Sequence, residues 1–278
     1  MGTLYIVATP IGNLEDISAR ALRILREVQL IAAEDTRHTR KLLAHFDIHT
    51  PLTSYHQHSQ PTRLEQILSA LEKGDVALVS DAGTPALNDP GYELVCAALD
   101  RGFPVSTIPG PCAPIAALVV SGLPTGQFTY YGYLPPKAGQ RRRMLREILD
   151  HPRTLIFLEA PHRLRAALED IQNVLGDRQI AIARELTKLH EEVFRGQISA
   201  AQTHFASKEP LGEFTLVIAG KVTETEPWPE GKLYRALTEH LASGESSSQI
   251  AASLAAQSGW SRRVIYQLIN ETRKTTEE

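Results

Sequence analysis

Four segments of this 278-residue chain bring acids, bases and small residues together where an apolar run ends. Ala33-Glu34-Asp35-Thr36-Arg37-His38-Thr39-Arg40-Lys41 sets two acids ahead of basic side chains. That order can seat a proton acceptor beside phosphate-binding groups, or simply cap a helix with a salt-bridged face. Phe157-Leu158-Glu159-Ala160-Pro161-His162-Arg163 and Arg184-Glu185-Leu186-Thr187-Lys188 repeat the theme, as acid-base candidates or as caps and surface ion pairs. Ser80 to Gly91 is long and rich in small residues, and it offers backbone donors, Asp81 and the Thr84 hydroxyl. A ligand loop and a structural loop fit it equally.

Thr9-Pro10-Ile11-Gly12-Asn13 is a turn through which a ligand could approach the backbone, or an ordinary strand-to-helix turn. Lys137, Arg141, Arg142, Arg143 and Arg146 form the densest basic run, just after Tyr130, Tyr131 and Tyr133. Cations beside stackable rings suit RNA, while a solvated helix face after a partly buried strand explains them as well. His56 and His58 flank Gln57 without a third ligand at a metal-binding spacing, so no metal is expected.

The elements that must position these residues alternate. Short apolar runs at 4–8, 30–33, 76–80, 105–108, 128–134, 154–158, 180–184, 192–198 and 214–218 read as strands. Helical periods fall between them: from 17 to 28 with Asp16 or Asn13 as cap, after Asp35, over 62–72, from Asp89 with Pro90 in its first turn, and over 114–120, 140–149 and 163–175. The fold class is therefore α/β in two subdomains, 1–112 and 113–222, meeting near Pro109 to Pro114. Residues 223–231, with Glu224, Glu226, Pro227 and Pro229, read as a linker. Residues 232–278 carry three apolar stripes punctuated by Gly244 and Gly259, the minimum for a small helix-turn-helix-like unit. Ser261, Arg262 and Arg263 open its third helix, as a recognition element or a packing module.

A formal charge of -3 argues against a whole-surface polyanion binder, so nucleic acid must be met by a local patch and no DNA partner is expected. Two cysteines, Cys96 and Cys112, cannot build a disulfide framework, which suits a reducing cytoplasm. No export signal or membrane span is read. Neither G-x-G-x-x-G nor G-x-x-x-x-G-K-[ST] occurs, disfavouring dehydrogenases and kinases.

In order along the chain, TPIGNLEDIS, AEDTRHTRKLL, SDAGTPALNDPG, IPGPCA, FLEAPHRL, ARELTKLHEE and GEFTLVIAG resemble the class III, tetrapyrrole-methylase-like S-adenosylmethionine-dependent methyltransferases. Within them they resemble the branch that methylates a cytidine 2′-O in 16S rRNA of the small ribosomal subunit. The match runs over residues 4–222, and the last helices resemble that branch's extra domain. The resemblance implies a homodimer holding S-adenosylmethionine in a cleft between the two α/β halves. It implies cofactor contacts at Pro10, Ala82, Gly83, Thr84, Leu87, Cys112, Ala113, Leu158, Leu186, Phe214 and Thr215. Tetrapyrrole relatives carry Gly-Asp-Pro where this chain has Gly83-Thr84-Pro85, a departure at the ribose contact.

Methyl transfer to a ribose hydroxyl needs a group that orients it and removes its proton. Asp35, Glu159 and Lys188 are the candidates, with Arg37 and His162 positioning phosphate or base and Arg141, Arg142 and Arg143 binding RNA. The competing readings are a porphyrin or corrin methyltransferase and, from another class, a metabolite-sensing nucleic-acid-binding regulator.

Overall fold

The computed structural model describes residues 1–56, 61–207, 209–221, 228–243 and 245–277. His58, Gly244 and most of the expected linker lie outside the described residues. The chain divides into a unit of Met1–Lys221 and a unit of Val222–Glu278.

The first unit opens with β1 (Leu4–Val7), α1 (Ala19–Glu27), β2 (Leu30–Ala33), α2 (Thr36–His45), β3 (Leu52–Ser54), α3 (Pro61–Lys73), β4 (Val76–Val79), α4 (Tyr92–Asp100) and β5 (Val105–Ile108). Its strands form one parallel sheet in the order β3-β2-β4-β1-β5. All four residues of β4 are buried, as a parallel strand covered on both faces requires. Val7, Ile31, Ala77 and Val79 pack beneath α1, and Leu4, Val76 and Leu78 beneath α3 and α4 on the other face.

Three local expectations are corrected. Ser18, not Asp16 or Asn13, caps α1, its hydroxyl accepting from the Ala21 amide, because Asn13 instead caps a separate 3-10 turn over Leu14–Asp16. The helix expected from Asp89 starts at Tyr92. Asn88 (φ 65°) and Gly91 (φ 142°) hold the chain outside helical space on both sides of Asp89 and Pro90. The run expected as strand through residue 198 ends at Gln197, where a helix begins.

The second half of this unit comprises α5 (Ala113–Val120), β6 (Phe128–Tyr133), α6 (Ala138–Glu147), β7 (Thr154–Glu159), α7 (Leu164–Leu175), β8 (Gln179–Arg184), β9 (Glu192–Gln197), α8 (Ile198–Ala206) and β10 (Phe214–Ile218). The sheet order is β6-β7-β10-β8-β9, parallel between β6 and β7 and antiparallel elsewhere. Leu155, Phe157, Phe214 and Leu216 face the layer of α6, α7 and α8, while Ile156, Ala183 and Val217 face α5. This period-2 division decides which residues reach the functional cleft.

The second unit is α9 (Glu230–Ala242), α10 (Ser247–Ser258) and α11 (Arg262–Glu277) around Leu233, Leu237, Ile250, Leu254, Ile265 and Ile269. Ser246 and Gln249 form a reciprocal capping box at α10, and Gly259 (φ 72°) ends it in the left-handed conformation. Among the described residues no helix is long and apolar enough to cross a membrane.

Candidate functional site: an acidic cleft at a topological switch point

In the first sheet the chain leaves β1 towards β2, passing β4, and leaves β4 towards β5, passing β1. The two connections cross on opposite faces of the sheet, α1 on one and α4 on the other, and leave a crevice at the carboxyl ends of β1 and β4, where open α/β sheets bind ligands. The two loops are tied at their base: the Thr9 and Gly83 amides each donate to the other's carbonyl, at 2.9 and 3.0 Å. The Thr84 hydroxyl donates to the Pro111 carbonyl at 3.1 Å, anchoring the loop to the segment before α5.

A cleft of about 380 Å³ opens there, within the size range of small-molecule sites. Ala82, Gly83, Thr84, Leu87, Cys112, Ala113, Leu158, Leu186, Thr215 and Lys188, all singled out in the sequence, line it. Pro10 and Phe214 do not. Ile11 stands at the wall next to Pro10, and strand alternation turns Phe214 into the helical core while its neighbour Thr215 faces the cleft.

Alternation corrects Glu159 in the same way. Leu158 faces the cleft, so Glu159 points into the opposite layer, fully buried and paired with Arg163 at 2.6 Å. Burial raises its pKa in spite of that partner. Asp35 stands outside the cleft lining and caps α2. Its carboxylate accepts from the Arg37 amide at 2.8 Å and pairs with the Arg37 guanidinium, which lowers its pKa to about 2. Arg37 is thereby engaged by Asp35 outside the lining, and His162 is exposed in a 3-10 turn that is also outside it.

Within the basic run the expectation for Arg141 is corrected. Arg141 is 3% exposed and donates from Nε and a terminal nitrogen to Asp170, at 2.8 and 2.5 Å. Arg142 reaches the same carboxylate at 3.2 Å, and Arg143 pairs with Glu147 along α6. The i to i+4 rhythm of a helix packed on α7 put one arginine of the run inside, where Asp170 neutralises it.

Of the acidic lining, sequence reasoning singled out the segments of Glu34, Asp81 and Glu185 but gave Asp89 and Glu213 no role in the site. Glu34, Asp81, Asp89 and Glu213 contribute four carboxylates, joined by Asn88, Tyr130, Tyr133, Arg184 and Glu185. Burial raises the pKa of Glu34, and neighbouring Asp81, Asp35 and Glu213 reinforce this against a hydrogen bond from the Asp81 amide. Burial likewise lifts Asp89 to about 6, with Glu34 adding repulsion and a Ser80 hydrogen bond partly opposing. Tyr130 is held up at about 12 by burial, and Tyr133 is raised by burial and by donating to Glu213 at 2.8 Å.

A bulge brings both tyrosines to the cleft. The register of β6 against β7 shifts between Tyr130 and Gly132, so Tyr130 pairs with Ile156 and Tyr133 with Leu158, both on the cleft face. The intervening Tyr131 turns to the core and stacks on Phe157. Gly132 (φ 70°) leaves no room for a side chain because the Asn88 amide lies over it, and Asn88 accepts from the Tyr130 hydroxyl at 2.5 Å. Opposite, the loop after β8 holds Glu185 (φ 50°) and Thr187 (φ 66°) in the left-handed region. Thr187 accepts from the Asn13 amide at 3.0 Å, and Lys188 pairs with Glu185 at 2.8 Å.

The arrangement is a half-open cavity with several carboxylates in its lining, of which Glu34 and Asp89 are partly desolvated. It favours a ligand that carries positive charge, with aromatic hydroxyls and an ammonium on the far wall. Among the described residues no three acids, histidines or cysteines gather closely enough to hold a metal ion.

Comparison with known proteins agrees with this architecture. Residues 3–202 match the family model of Tetrapyrrole (Corrin/Porphyrin) Methylases, wholly inside the first unit. Ribosomal RNA small subunit methyltransferase I of Synechocystis sp. is 48% identical over 271 residues, covering 96% of this chain and 97% of its own. The protein of that name from Thermotoga maritima is 50% identical over 222 residues, all of its own length but 80% of this chain. In fold, uroporphyrin-III-C-methyltransferase from Thermus thermophilus superposes with a TM-score of 0.56 at 21% identity, over 78% of this chain and 94% of that one. The chain belongs to the tetrapyrrole (corrin/porphyrin) methylase family and, within it, to the ribosomal RNA small subunit methyltransferase I group.

Proposed function

We propose that this chain transfers a methyl group from S-adenosylmethionine to the 2′-hydroxyl of a cytidine in the decoding region of 16S rRNA, acting in the cytoplasm as a homodimer on the small ribosomal subunit. The observation that carries the reading is the carboxylate-rich cleft at the switch point of the first sheet. A site with four acids, two of them partly desolvated, suits a donor bearing a sulfonium and an ammonium, and Gly83 (φ 81°) lets a ligand approach the loop backbone. Ala82, Gly83, Thr84, Leu87, Cys112, Ala113, Leu158, Leu186 and Thr215 would hold the donor, with Pro10 and Phe214 shaping the wall from behind. When bound, S-adenosylmethionine supplies an electrophilic methyl group.

The protein's own task is to orient the ribose and remove its proton. Of the three candidate bases, Lys188 alone lines the cleft. In this reading the Lys188 ammonium, held by Glu185, donates to the ribose oxygen, and the Glu185 carboxylate takes the hydroxyl proton as the oxygen bonds to the methyl group, with the donor's neutral thioether as leaving group. Asp35 and Glu159 then serve as a helix cap and a buried ion pair that keep the walls in place. Dimerisation is supported by α5, whose apolar Ile115, Val119 and Val120 remain exposed, and sedimentation of the purified chain tests it.

The deciding experiment offers labelled donor to small subunits from cells lacking the protein, to naked RNA and to a porphyrin precursor. Label on a cytidine 2′-oxygen supports the proposal, and label in the porphyrin replaces it. Glu185→Gln should lose methyl transfer while retaining donor binding, and full activity would remove the proton-accepting role.

A further inference from the structure

The cleft leaves the second unit without a task. The family match ends inside the first unit, and the Thermotoga maritima relative aligns over its full length with a stretch about as long as that unit. The three helices have their own apolar core and their own capping, so they form a separate module beyond the family match.

The outward side of α11 is distinctive. Arg262, Arg263, Tyr266, Gln267 and Asn270 are exposed, while Ile265 and Ile269 are buried in the module's core. At about 100° per residue the five exposed side chains occupy an arc of about 140°, its midpoint about 110° round the helix from that of the buried pair, with Arg262 at the edge next to Ile269. Arg141, Arg142 and Arg143 are each matched with a carboxylate, but among the described residues neither Arg262 nor Arg263 pairs with one. Arg262 donates instead to the Ser248 hydroxyl of α10 at 3.0 Å, which fixes its direction from the preceding helix. Two unneutralised cations also sit in the first turn of a helix with no acid there, where the helix dipole disfavours them. The module accepts that cost in return for a surface that presents charge, a ring and two amides together.

We propose that this face of α11 is an RNA-binding surface, taking phosphates of the substrate RNA on Arg262 and Arg263 and a base or ribose on Tyr266, away from the methylated nucleotide. The proposal rests on the RNA reading of the cleft and adds where the rest of the substrate is gripped. Because the module is covalently attached, its contacts raise the local concentration of RNA at the cleft without altering the chemical step. Gln267 and Asn270 supply donors and acceptors suited to base edges or the 2′-hydroxyl.

The test uses the full chain, comparing wild type with Arg262→Gln/Arg263→Gln and with Tyr266→Ala. Methyl transfer to small subunits is measured over a range of salt concentrations. The double variant should raise KM roughly tenfold at physiological salt, leave kcat unchanged, and flatten the dependence of log KM on log salt by about two. Tyr266→Ala should raise KM several-fold without changing the salt slope. Variants with wild-type thermal melting whose KM and salt slope equal wild type would overturn the proposal, as would a fall in kcat alone. A DNA duplex that competes as well as RNA would also overturn it. If wild type methylates no RNA at all, the reading of the cleft fails, and filter retention of 16S RNA by the same variants still decides the surface.

Discussion

The two halves of the first unit use acidic side chains in opposite ways. On the first-sheet wall Glu34, Asp81 and Asp89 stand together without a cationic partner among the described residues, and burial raises the pKa of Glu34 and Asp89. In the second half most of the acids named above are paired, Glu159 with Arg163, Asp170 with Arg141 and Arg142, Glu185 with Lys188, and Glu192 with Arg184 and His204, while Glu213 on the cleft accepts from the Tyr133 hydroxyl. Paired acids hold a framework together. Unpaired, partly desolvated acids cost stability and keep a site ready for an incoming cation.

The strongest way to break the contrast is on the paired side. Arg141→Met should destabilise the chain by about 3 kcal/mol, because it leaves Asp170 buried with Arg142 alone and at longer range. Urea denaturation checks this. A variant of unaltered stability but weakened RNA affinity would return Arg141 to the RNA-contacting role first expected of it.

Gly132→Ala tests the junction of the two halves. A methyl group there meets the Asn88 amide and forces a left-handed residue to carry a side chain, at about 2 kcal/mol. Displacing Asn88 also releases its bond to Tyr130, so calorimetric affinity for S-adenosylmethionine should fall more than tenfold. Unchanged affinity would show that Asn88 is not needed to shape the donor site.

The unpaired side gives a smaller effect with a pH signature. Asp89 titrates near 6 in the folded chain against 3.8 for the free side chain, so the fold prefers it protonated. Its stabilising contribution is full below about pH 4 and lost as pH rises through about 6. Asp89→Asn should therefore match wild type near pH 4 and exceed it by about 1–2 kcal/mol at pH 8, the full shift being reduced by partial exposure. The same variant should bind the donor less tightly at pH 8. A stability difference independent of pH would overturn the assignment.

How much of this was legible in the sequence depended on range. The alternation of strand and helix, and the loops after β1, β4 and β8, follow from local periodicity and from residues such as Gly83 and Pro85. Alternation within a strand could also have separated Leu158 from Glu159 and Phe214 from Thr215, since neighbours on a strand face opposite ways. The bulge at Tyr130 to Gly132 could not be read, because it depends on how β6 meets β7. Nor could the fate of the arginine run. Asp170 lies on another helix, and only packing of α6 on α7 turns Arg141 of the basic run inward. The sparser pair Arg262 and Arg263 keeps its charge because no acid is packed against it among the described residues.

The reciprocal bonds between Thr9 and Gly83 have a dynamic corollary. Each amide is covered by the other residue's carbonyl, so neither loop can expose its amide to solvent while the other remains docked. The turn after β1 and the long loop after β4 should open as one cooperative unit, with hydrogen-exchange rates at Thr9 and Gly83 that rise and fall together. A ligand seated between them should slow both to the same degree, although only Gly83 lines its cavity.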